Sequence, residues 1–536
     1  MRDSVLDAPG VWGAGQILAF SALDGPTDYE RGLVLRTVGG RAALEVAHPV
    51  RAELSFCDQP PSRCRMGSDW LELETPAGGV RAALLDACSL LIEGPCRVPT
   101  VAGLTVRRDG PRTLVSSGGA ASIGVAPPPR QSIDQAIAAR RAWLAQVARR
   151  RSWPADRPAL AKALCIMKGQ VMSPAGQIRR RWATPDRWPH RDMWLWDSAF
   201  HAVGWRHVDA ALAREMLRAM LDGQRPDGMI PHQIAPGGSS AITQPPVLAM
   251  AVERVDQVEP DDGFVADMYD GLCRYVEWDL AHRDADGAGL LEWHIEQTPI
   301  SRSGESGMDN SSRFDSATAL DAPDFNAFAA LECEVLAHLA ARLGRGADEA
   351  KWATHHRRLC GLMNQRLWDE PAGLYMDYDV KAGRRTGVLA SSGFLPLVCG
   401  AATPEQARRL ARHLEPGGAF DSPVPIASIS PTQAEHYSKD MWRGPTWINT
   451  NWLIAEGFDR YGLWDLAARI RRRSLDEIDR WHAACGSIFE YYDDQGQVPP
   501  PRLGRKGPND PANPYHQVVH DYGWSATLYV DMALRG

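Results

Sequence analysis

The sequence lacks long apolar runs and any excess of positive charge. No stretch approaches the run of about 18 apolar residues that a membrane-spanning helix needs, and residues 1–15 contain no apolar run of signal-peptide length. We therefore expect a cytoplasmic protein. The formal net charge is −7, which argues against nucleic acid or an anionic membrane as a partner, because both require a positive field. The expected partner is a small or neutral molecule.

The ten cysteines are scattered and form no CxxC pair. Those after residue 160 lie inside helical patterns, which indicates reduced, structural thiols. For the four N-terminal cysteines a second interpretation stays open, in which they form two disulfides or a metal site. These four are Cys57, Cys64, Cys88 and Cys96.

The character of the sequence changes near residue 125. Residues 1–125 are divided by Gly and Pro into short segments in which apolar and polar residues alternate, the period of a β-strand. We predict an antiparallel β-sandwich domain there. Residues 126–131 (APPPRQ) predict a rigid linker, because consecutive prolines continue neither a helix nor a sheet.

Helical periodicity dominates from residue 126 to residue 536. The cap signals predict about eleven to thirteen helices, and no solenoid-type repeat is evident. We therefore predict a mainly α fold, with an (α/α)6 toroid catalytic domain over 126–536 behind the β-sandwich of 1–125. Two roles are open for the β-sandwich. It either closes one side of a pocket or forms a dimerisation surface, which would make the protein a homo-oligomer.

Five irregular segments are rich in Trp, His, Gln and charged residues, and such segments carry function more often than packing. The chain has nineteen tryptophans, which favours carbohydrate binding because an indole ring offers a flat apolar face to a sugar. The segments cover residues 181–205, 223–246, 305–315, 441–452 and 486–496.

Two carboxylates in these segments are candidates for glycoside hydrolysis, which requires one protonated and one ionised carboxyl group. Asp309 lies between Glu305 and Asp315, and neighbouring negative charge favours the protonated form that a general acid needs. Glu490 follows Ile-Phe and precedes two tyrosines. For either residue, a buried structural carboxylate or a helix cap is the alternative.

The aromatic residues have their own alternatives. Trp442, Trp447 and Trp452 recur at nearly helical spacing, which is more typical of a core than of a ligand platform. An Arg-Gly-Pro sequence interrupts the pattern, so we predict a pocket wall for the first two and a core position for Trp452. Trp196 and Asp197 form a pair suited to a sugar, although Asp197 is also a candidate N-cap for the helix that follows.

Five ordered motifs across residues 180–525 together resemble those of glycoside hydrolase family 63. That family includes processing α-glucosidase I and bacterial mannosylglycerate and glucosylglycerate hydrolases, and trehalase is a more distant relative. The motifs are W-x-W-D-S-x-F, GQ-x-PDGMIPH followed by TQPP, ESG-x-DNS-x-R, WRGP-x-W-x-N and F-E-Y-Y-x-x-x-G. The resemblance implies an inverting α-glycosidase on an α/α toroid that releases a terminal sugar, with glucose favoured, from a small α-glucoside or oligosaccharide.

The resemblance also implies roles for the motif residues. Asp309 matches the general acid and Glu490 the general base, and no metal or cofactor is implied. Other motif residues would bind the substrate or support its pocket: Arg191, Trp196, Asp197, His232, Gln244, Glu305, Arg313, Trp442, Arg443 and Trp447. Ser312 and Phe314 depart from the Pro and Trp expected there, which leaves the substrate preference open.

Other functions were weighed against this hydrolase. A sugar-binding toroid without catalysis and a phosphorolytic relative both stay open. Residues 261–267 (DDGFVAD) resemble the metal motif of terpene cyclases, but they follow a proline at an ordinary helix start. The basic residues Arg502, Arg505 and Lys506 would suit an acidic aglycone such as glycerate, although solvation at the surface is the interpretation we favour.

Overall fold

The structure is a computed structural model that describes residues 10–118, 132–296, 298 and 301–535. The predicted linker at 126–131 and the predicted strand SIGVA at 122–126 lie outside these residues. The chain forms two compact units. The first holds the described residues up to Asp192 together with Ile478–Glu490 and Val519–Arg535, and the second holds those of Met193–Glu477 and Tyr491–Val518. The domain boundary at 125 stays a prediction.

The first unit contains two antiparallel sheets, with strand orders β1-β2-β3-β4 and β5-β6-β7-β8-β10-β9. Inward-facing residues of both sheets share one core, for example Leu44 and Leu54 from the first sheet and Leu71 and Ile92 from the second. The predicted antiparallel sheets are therefore confirmed. The strands are β1 Ile17–Ala19, β2 Val34–Thr37, β3 Ala42–His48, β4 Ala52–Cys57, β5 Arg63–Met66, β6 Trp70–Thr75, β7 Gly78–Asp86, β8 Ser89–Glu93, β9 Leu104–Asp109 and β10 Arg112–Ser117.

Local sequence explains how these strands are divided. The apolar stretch 80–94 has no Gly or Pro in its interior, yet it forms the β7–β8 hairpin because Asp86 makes a turn. The Asp86 carboxylate accepts a hydrogen bond from the backbone N–H of Cys88 at 2.8 Å, which is the ordinary Asx turn. After the turn, β8 alternates buried and half-buried residues as its pleat requires.

Twelve α-helices lie among the described residues, and the predicted number is confirmed. They are α1 Ile133–Arg150, α2 Leu160–Gly169, α3 Leu195–Trp205, α4 Ala210–Asp222, α5 Leu248–Asp256, α6 Asp262–His282, α7 Pro323–Arg342, α8 Gly346–Leu362, α9 Pro404–Arg412, α10 Ile448–Arg460, α11 Trp464–Cys485 and α12 Gly523–Ala533. Helices α1, α2, α12 and the end of α11 belong to the first unit, and the others to the second.

Short elements connect these helices. The strands are β11 Val171–Met172, β12 Trp182–Ala183, β13 Met193–Trp194, β14 Gln233–Ala235, β15 Gly238–Ser239, β16 Leu320–Asp321, β17 Trp368–Asp369, β18 Leu374–Tyr375, β19 Tyr378–Asp379 and β20 Arg384–Arg385. The 3-10 turns are Ser312–Phe314, Ser391–Leu397, Met441–Arg443, Pro500–Arg502 and Pro514–His516, and Met363–Leu367 is a π-helical turn.

The helix starts carry the caps that the sequence indicated. Asp209 caps α4, and Thr403 caps α9 in a capping box with Gln406. Asp261 accepts a hydrogen bond from the backbone N–H of Phe264 at 3.0 Å, and Asp262 pairs with an arginine at 2.6 Å. The aspartates of the DDGFVAD segment therefore stabilise the start of α6, as the proline before them suggested.

All ten cysteines lie among the described residues and are free thiols. The prediction of reduced thiols is confirmed, and the alternative of two N-terminal disulfides is wrong. Among the described residues, the cluster of potential metal ligands contains no cysteine. None of the described helices combines the length and hydrophobicity needed to cross a bilayer.

A buried glutamate joins two helices of the second unit. The carboxylate of Glu332 on α7 accepts hydrogen bonds from the backbone N–H groups of Ala249 at 2.7 Å and Met250 at 2.8 Å, in the first turn of α5. These N–H groups have no partner within their own helix. Burial raises the pKa of Glu332 to about 7, and the two hydrogen bonds oppose this rise.

This raised pKa predicts a pH-dependent stability. The pKa of Glu332 in the folded state exceeds the unfolded value of 4.5. Its contribution to the free energy of unfolding is therefore present in full below pH 4.5 and is lost as the pH rises through 7. The glutamine of Glu332→Gln does not titrate. Between these limits the free energy of unfolding of wild type should therefore fall by about 3 kcal/mol relative to that of the variant. Thermal unfolding at pH 4.5 to 8 measures this difference.

Glu334→Gln is the matched control, because Glu334 lies on the same helix and pairs with Arg460 at the surface at 2.5 Å. We expect its melting temperature to follow the wild-type pH dependence. Parallel curves for wild type and Glu332→Gln would contradict the assignment.

Candidate active site

The first motif places Trp196 and Asp197 at the start of α3 in the second unit. The helix begins at Leu195, two residues before the predicted cap, and no side chain caps it. The interpretation of Asp197 as the N-cap is therefore wrong. The Asp197 side chain lies in the first turn and is only 3% exposed, where the helix dipole stabilises a negative charge.

The second motif packs directly against the first. Strand β13 pairs with β14, which brings Met193 opposite Ile234. The backbone N–H of Leu195 donates to the carbonyl of His232 at 3.0 Å, and that of Trp196 donates to the Gln244 side-chain oxygen at 3.3 Å. Two N–H groups at the start of α3 are thus satisfied by residues of the second motif, which orient Trp196 and Asp197.

His232 supports this arrangement as a neutral imidazole. Its Nδ1 lies 2.5 Å from the hydroxyl of Ser240, and its ring meets the edge of Trp194 with centroids 4.9 Å apart. Burial lowers the pKa of His232 to about 4, the charge of Asp309 opposes this effect, and that of Lys506 adds to it. The ring therefore stays uncharged at neutral pH.

The third motif forms a loop that crosses the first. Glu305 is fully buried and accepts two hydrogen bonds from Arg283, at 2.6 and 2.8 Å. Two residues later, Gly307 has a φ of +68°, and a Cβ at this position would overlap the ring of Trp196. A glycine is therefore required where the loop passes over the indole.

Asp309 lies in this loop with a fixed backbone and an accessible carboxylate. Its carbonyl accepts hydrogen bonds from the N–H groups of Arg302 at 2.7 Å and Ser303 at 3.3 Å. Its side chain is 22% exposed and lies 2.6 Å from the ammonium of Lys506. The geometry leaves this carboxylate within reach of a ligand.

Arg313 holds the far end of the loop. Its guanidinium donates to Asp324 at 2.7 and 2.9 Å and to Asp377 at 2.6 and 2.8 Å, and Nη1 also lies 3.3 Å from the Met308 sulfur. Every N–H of the guanidinium therefore has an acceptor inside the protein. Arg313 positions the loop and has no donor left for a sugar.

The fourth motif stacks its tryptophans on the first. The rings of Trp442 and Trp447 are parallel with centroids 3.7 Å apart, and Trp442 lies 6.2 Å from Trp196. Trp447 and Trp452 are each 1% exposed, and Trp452 meets Phe200 edge to face. The core position of Trp452 is confirmed, and the other three indoles form one buried aromatic layer.

Polar contacts join the fourth motif to the third. The side-chain oxygen of Asn310 accepts a hydrogen bond from the backbone N–H of Trp442 at 3.0 Å. Arg443 donates twice to Asp315, at 2.9 and 2.6 Å, and once to the Asn310 carbonyl at 3.2 Å. Arg443 thus holds the segment that follows Asp309.

Glu490 of the fifth motif belongs to the first unit, where its backbone N–H donates to Val519 at 3.0 Å. The side chain is 2% exposed and accepts a hydrogen bond from the N–H of Val519 at 3.4 Å. The tyrosine that follows, Tyr491, belongs to the second unit and lies 4.8 Å from Trp447. The separation of the carboxyl groups of Asp309 and Glu490 stays a prediction.

Arg191 also belongs to the first unit. Its guanidinium lies over the ring of Tyr29, 4.5 Å from the centroid, and donates to the Tyr29 carbonyl. The Tyr29 hydroxyl donates to Asp192 at 2.5 Å. Burial lowers the pKa of Arg191. A residue of the β-rich N-terminal portion therefore orients Arg191, a contact that the sequence did not indicate.

The basic segment near residue 505 was misread from the sequence. Arg502 is exposed as predicted, but Lys506 contacts Asp309, and Arg505 is buried and donates to the Tyr515 carbonyl at 2.7 Å. Surface solvation is therefore the wrong interpretation for Arg505 and Lys506. The signal that was overlooked is the pair of glycines, at 504 and 507, on either side of these cations.

A cluster of acidic residues has the composition of a cation site. Asp286, Glu292 and Asp321 bring carboxylate oxygens within 4.8 Å of one another. Arg366 lies against the cluster, with nitrogens 2.6 Å from Asp321 and 3.0 Å from Asp286. The guanidinium already supplies positive charge here, and we assign no ion to the cluster.

Comparison with known proteins shows the family to which the sequence is similar. Residues 189–525 match the model of the mannosylglycerate hydrolase MGH1-like glycoside hydrolase domain. A mannosylglycerate hydrolase of Thermus thermophilus is 30% identical over 384 residues, which cover 56% of this chain and 88% of that protein. A glucosylglycerate hydrolase of Mycolicibacterium hassiacum is 26% identical over 410 residues, which cover 58% of this chain and 88% of that protein.

Solved structures agree with this assignment. A GH63 mannosylglycerate hydrolase of Thermus thermophilus, determined in complex with glucose, superposes with a TM-score of 0.58 at 28% sequence identity. The alignment covers 70% of this chain and 99% of that one. The second unit lies within the matched portion, since the family model begins at residue 189.

The close passage of Gly307 over Trp196 predicts a specific steric effect. In Gly307→Ala the new methyl group meets the ring, and a non-glycine residue must adopt a left-handed conformation. We expect a loss of about 2–4 kcal/mol in unfolding free energy. Chemical denaturation measures this loss, and near-UV circular dichroism reports on the displaced indole.

Gly344→Ala isolates the conformational part of this cost. Gly344 has a φ of +72° and no heavy atom within 4 Å of an added Cβ. We expect a loss of about 1 kcal/mol there and an unchanged near-UV spectrum. Equal losses in the two variants would contradict the steric contact.

Proposed function

This chain belongs to the mannosylglycerate hydrolase MGH1-like glycoside hydrolase family, within glycoside hydrolase family 63. On that premise we propose that it hydrolyses the α-glycosidic bond of a small glycoside with inversion at the anomeric carbon. The proposed substrate is α-linked glucose or mannose joined to glycerate. The names of two relatives support this choice, one a mannosylglycerate hydrolase and the other a glucosylglycerate hydrolase.

The environment of Asp309 is the observation that carries the proposal. It combines a backbone held by two hydrogen bonds, a carboxylate that reaches solvent, and a loop that crosses Trp196. A general acid must approach the glycosidic oxygen while its backbone stays fixed, because a small displacement reduces the rate strongly. These features support Asp309 as the acid.

The proposed reaction is a direct displacement. Asp309 donates its proton to the glycosidic oxygen while Glu490 takes a proton from a water molecule that attacks the opposite face of the sugar. The carboxyl groups are then expected about 6.5–9.5 Å apart, which leaves room for the water. We propose that the helices of residues 126–536 form the (α/α)6 toroid that brings the acid and base to one pocket.

The aromatic layer supports a sugar site beside Asp309. Trp442 lies in the middle of this layer, parallel to Trp447 at 3.7 Å and 6.2 Å from Trp196. We propose that Trp196, Trp442 and Trp447 shape the wall of the subsite for the terminal sugar, with Asp197 and Gln244 orienting it.

If these residues are the acid and the base, replacing either by its uncharged amide should strongly reduce turnover. Asp309→Asn and Glu490→Gln each remove one proton-transfer group and should lower kcat by about 10²–10⁴-fold while the melting temperature stays near that of wild type. Turnover of α-mannosylglycerate and α-glucosylglycerate measures the effect. NMR of the first product formed identifies the anomer, and we expect the β-anomer.

Asp267→Asn and Glu435→Gln are matched controls, because both residues are exposed. We expect wild-type turnover from both. Near-wild-type activity of Asp309→Asn or Glu490→Gln would refute the assignment. Product formation that requires phosphate would indicate a phosphorolytic enzyme, and tight binding of both glycosides without turnover would indicate a sugar-binding protein.

A further inference from the structure

The ion pair between Lys506 and Asp309 opposes the state that the proposed reaction requires. The two charged atoms lie 2.6 Å apart, and the side chains are 16% and 22% exposed. An ammonium ion at this distance stabilises the ionised carboxylate. A general acid must carry a proton before it can protonate the leaving group. The contact must therefore open before catalysis, and its exposure allows a ligand to open it.

The backbone of the loop around Lys506 is held in place. Lys506 has a φ of +55°, a conformation that is rare for a residue with a Cβ and persists only when the surroundings fix it. The N–H of Gly507 donates to Asp440 at 2.9 Å, and that of Arg505 donates to the Gly507 carbonyl at 3.0 Å. These contacts fix the backbone from which the Lys506 side chain extends.

The neighbouring charged groups are committed to other partners. His232 is neutral because burial lowers its pKa to about 4. Asp440 holds the backbone of the Lys506 loop. Arg302 and Arg443 both pair with Asp315, at 3.8 and 2.6 Å. An exchange of partners with a ligand would therefore involve Lys506 and Asp309.

We propose that Lys506 selects an aglycone that carries a carboxylate, and that this selection releases Asp309 for catalysis. When the anionic aglycone enters, the ammonium ion of Lys506 pairs with its carboxylate. Asp309 then takes a proton from solvent and donates it to the glycosidic oxygen, while water supplies the hydroxyl group of the freed sugar. The inference rests on the proposed role of Asp309 as the general acid.

The chemistry of glycosylglycerates fits this exchange. In a 2-O-glycosylglycerate the carboxyl carbon lies two bonds from the glycosidic oxygen. An acid that reaches this oxygen therefore has the aglycone carboxylate beside it, which is where Lys506 lies relative to Asp309. A glycoside of glycerol has a neutral CH₂OH group at the same place. It offers Lys506 no anionic partner, so Lys506 stays paired with Asp309.

The first experiment compares 2-O-α-mannosylglycerate with 2-O-α-mannosylglycerol as substrates. We expect wild type to prefer the glycerate compound. Lys506→Met should lower kcat/KM for this compound by about 100-fold and raise it for the glycerol compound, so that the preference disappears.

Two further variants control this comparison. Lys506→Arg retains the charge and should keep the preference for the glycerate compound. Arg502→Met removes an exposed charge from the same segment and should leave the ratio of the two kcat/KM values at the wild-type value. An equal loss on both substrates in Lys506→Met would mean that Lys506 only supports the structure of the loop, and would overturn the proposal.

The second experiment does not depend on turnover. Binding of D-glycerate is measured by calorimetry at pH 6 in buffers of different ionisation enthalpy, which gives the number of protons taken up. We expect uptake in wild type and none in Asp309→Asn. Uptake that persists in Asp309→Asn would place the proton elsewhere, for example on His232, and would overturn the proposal, as would binding without uptake in wild type.

The two experiments separate the two hypotheses. Proton uptake by wild type with no hydrolysis of either glycoside would refute the proposed function and support the exchange of ion pairs. Hydrolysis that shows no preference for the glycerate compound would support the proposed function and refute the role of Lys506.

Discussion

The position of the candidate acid depends on one buried guanidinium. Arg313 lies four residues after Asp309 and binds Asp324 at the start of α7 and Asp377 between β18 and β19. Removal of one partner from a buried pair of this kind costs about 3–5 kcal/mol, because the remaining charge is left unpaired. These ion pairs hold the loop that carries Asp309.

The need to pair buried polar groups also explains why particular residue types occur in the motifs. The oxygen of Gln244 accepts the N–H of Trp196, and that of Asn310 accepts the N–H of Trp442. Buried backbone N–H groups must find partners, so each motif satisfies the backbone of another. The motif residues therefore also make folding contacts. Arg313 shows that a residue of such a motif can have all its donors bound within the protein.

Local sequence predicted the elements well because strand and helix periods are local properties. The antiparallel sheets and the number of helices followed from alternation, periodicity and caps such as Asp261. The start of α3 was misplaced because its N–H groups are satisfied by His232 and Gln244, which come from a distant segment. Lys506 was misjudged for a related reason, since its left-handed turn and its contact with Asp309 arise only from tertiary structure.

The site thus uses two kinds of ion pair for opposite purposes. The Arg313 cluster is fully enclosed, has every donor satisfied and cannot exchange partners without a large loss of stability. The pair of Lys506 and Asp309 is partly exposed, so a ligand can reach both partners. The enclosed cluster fixes the loop that carries Asp309, and the exposed pair is where we propose that an anionic ligand takes the place of Asp309 beside Lys506.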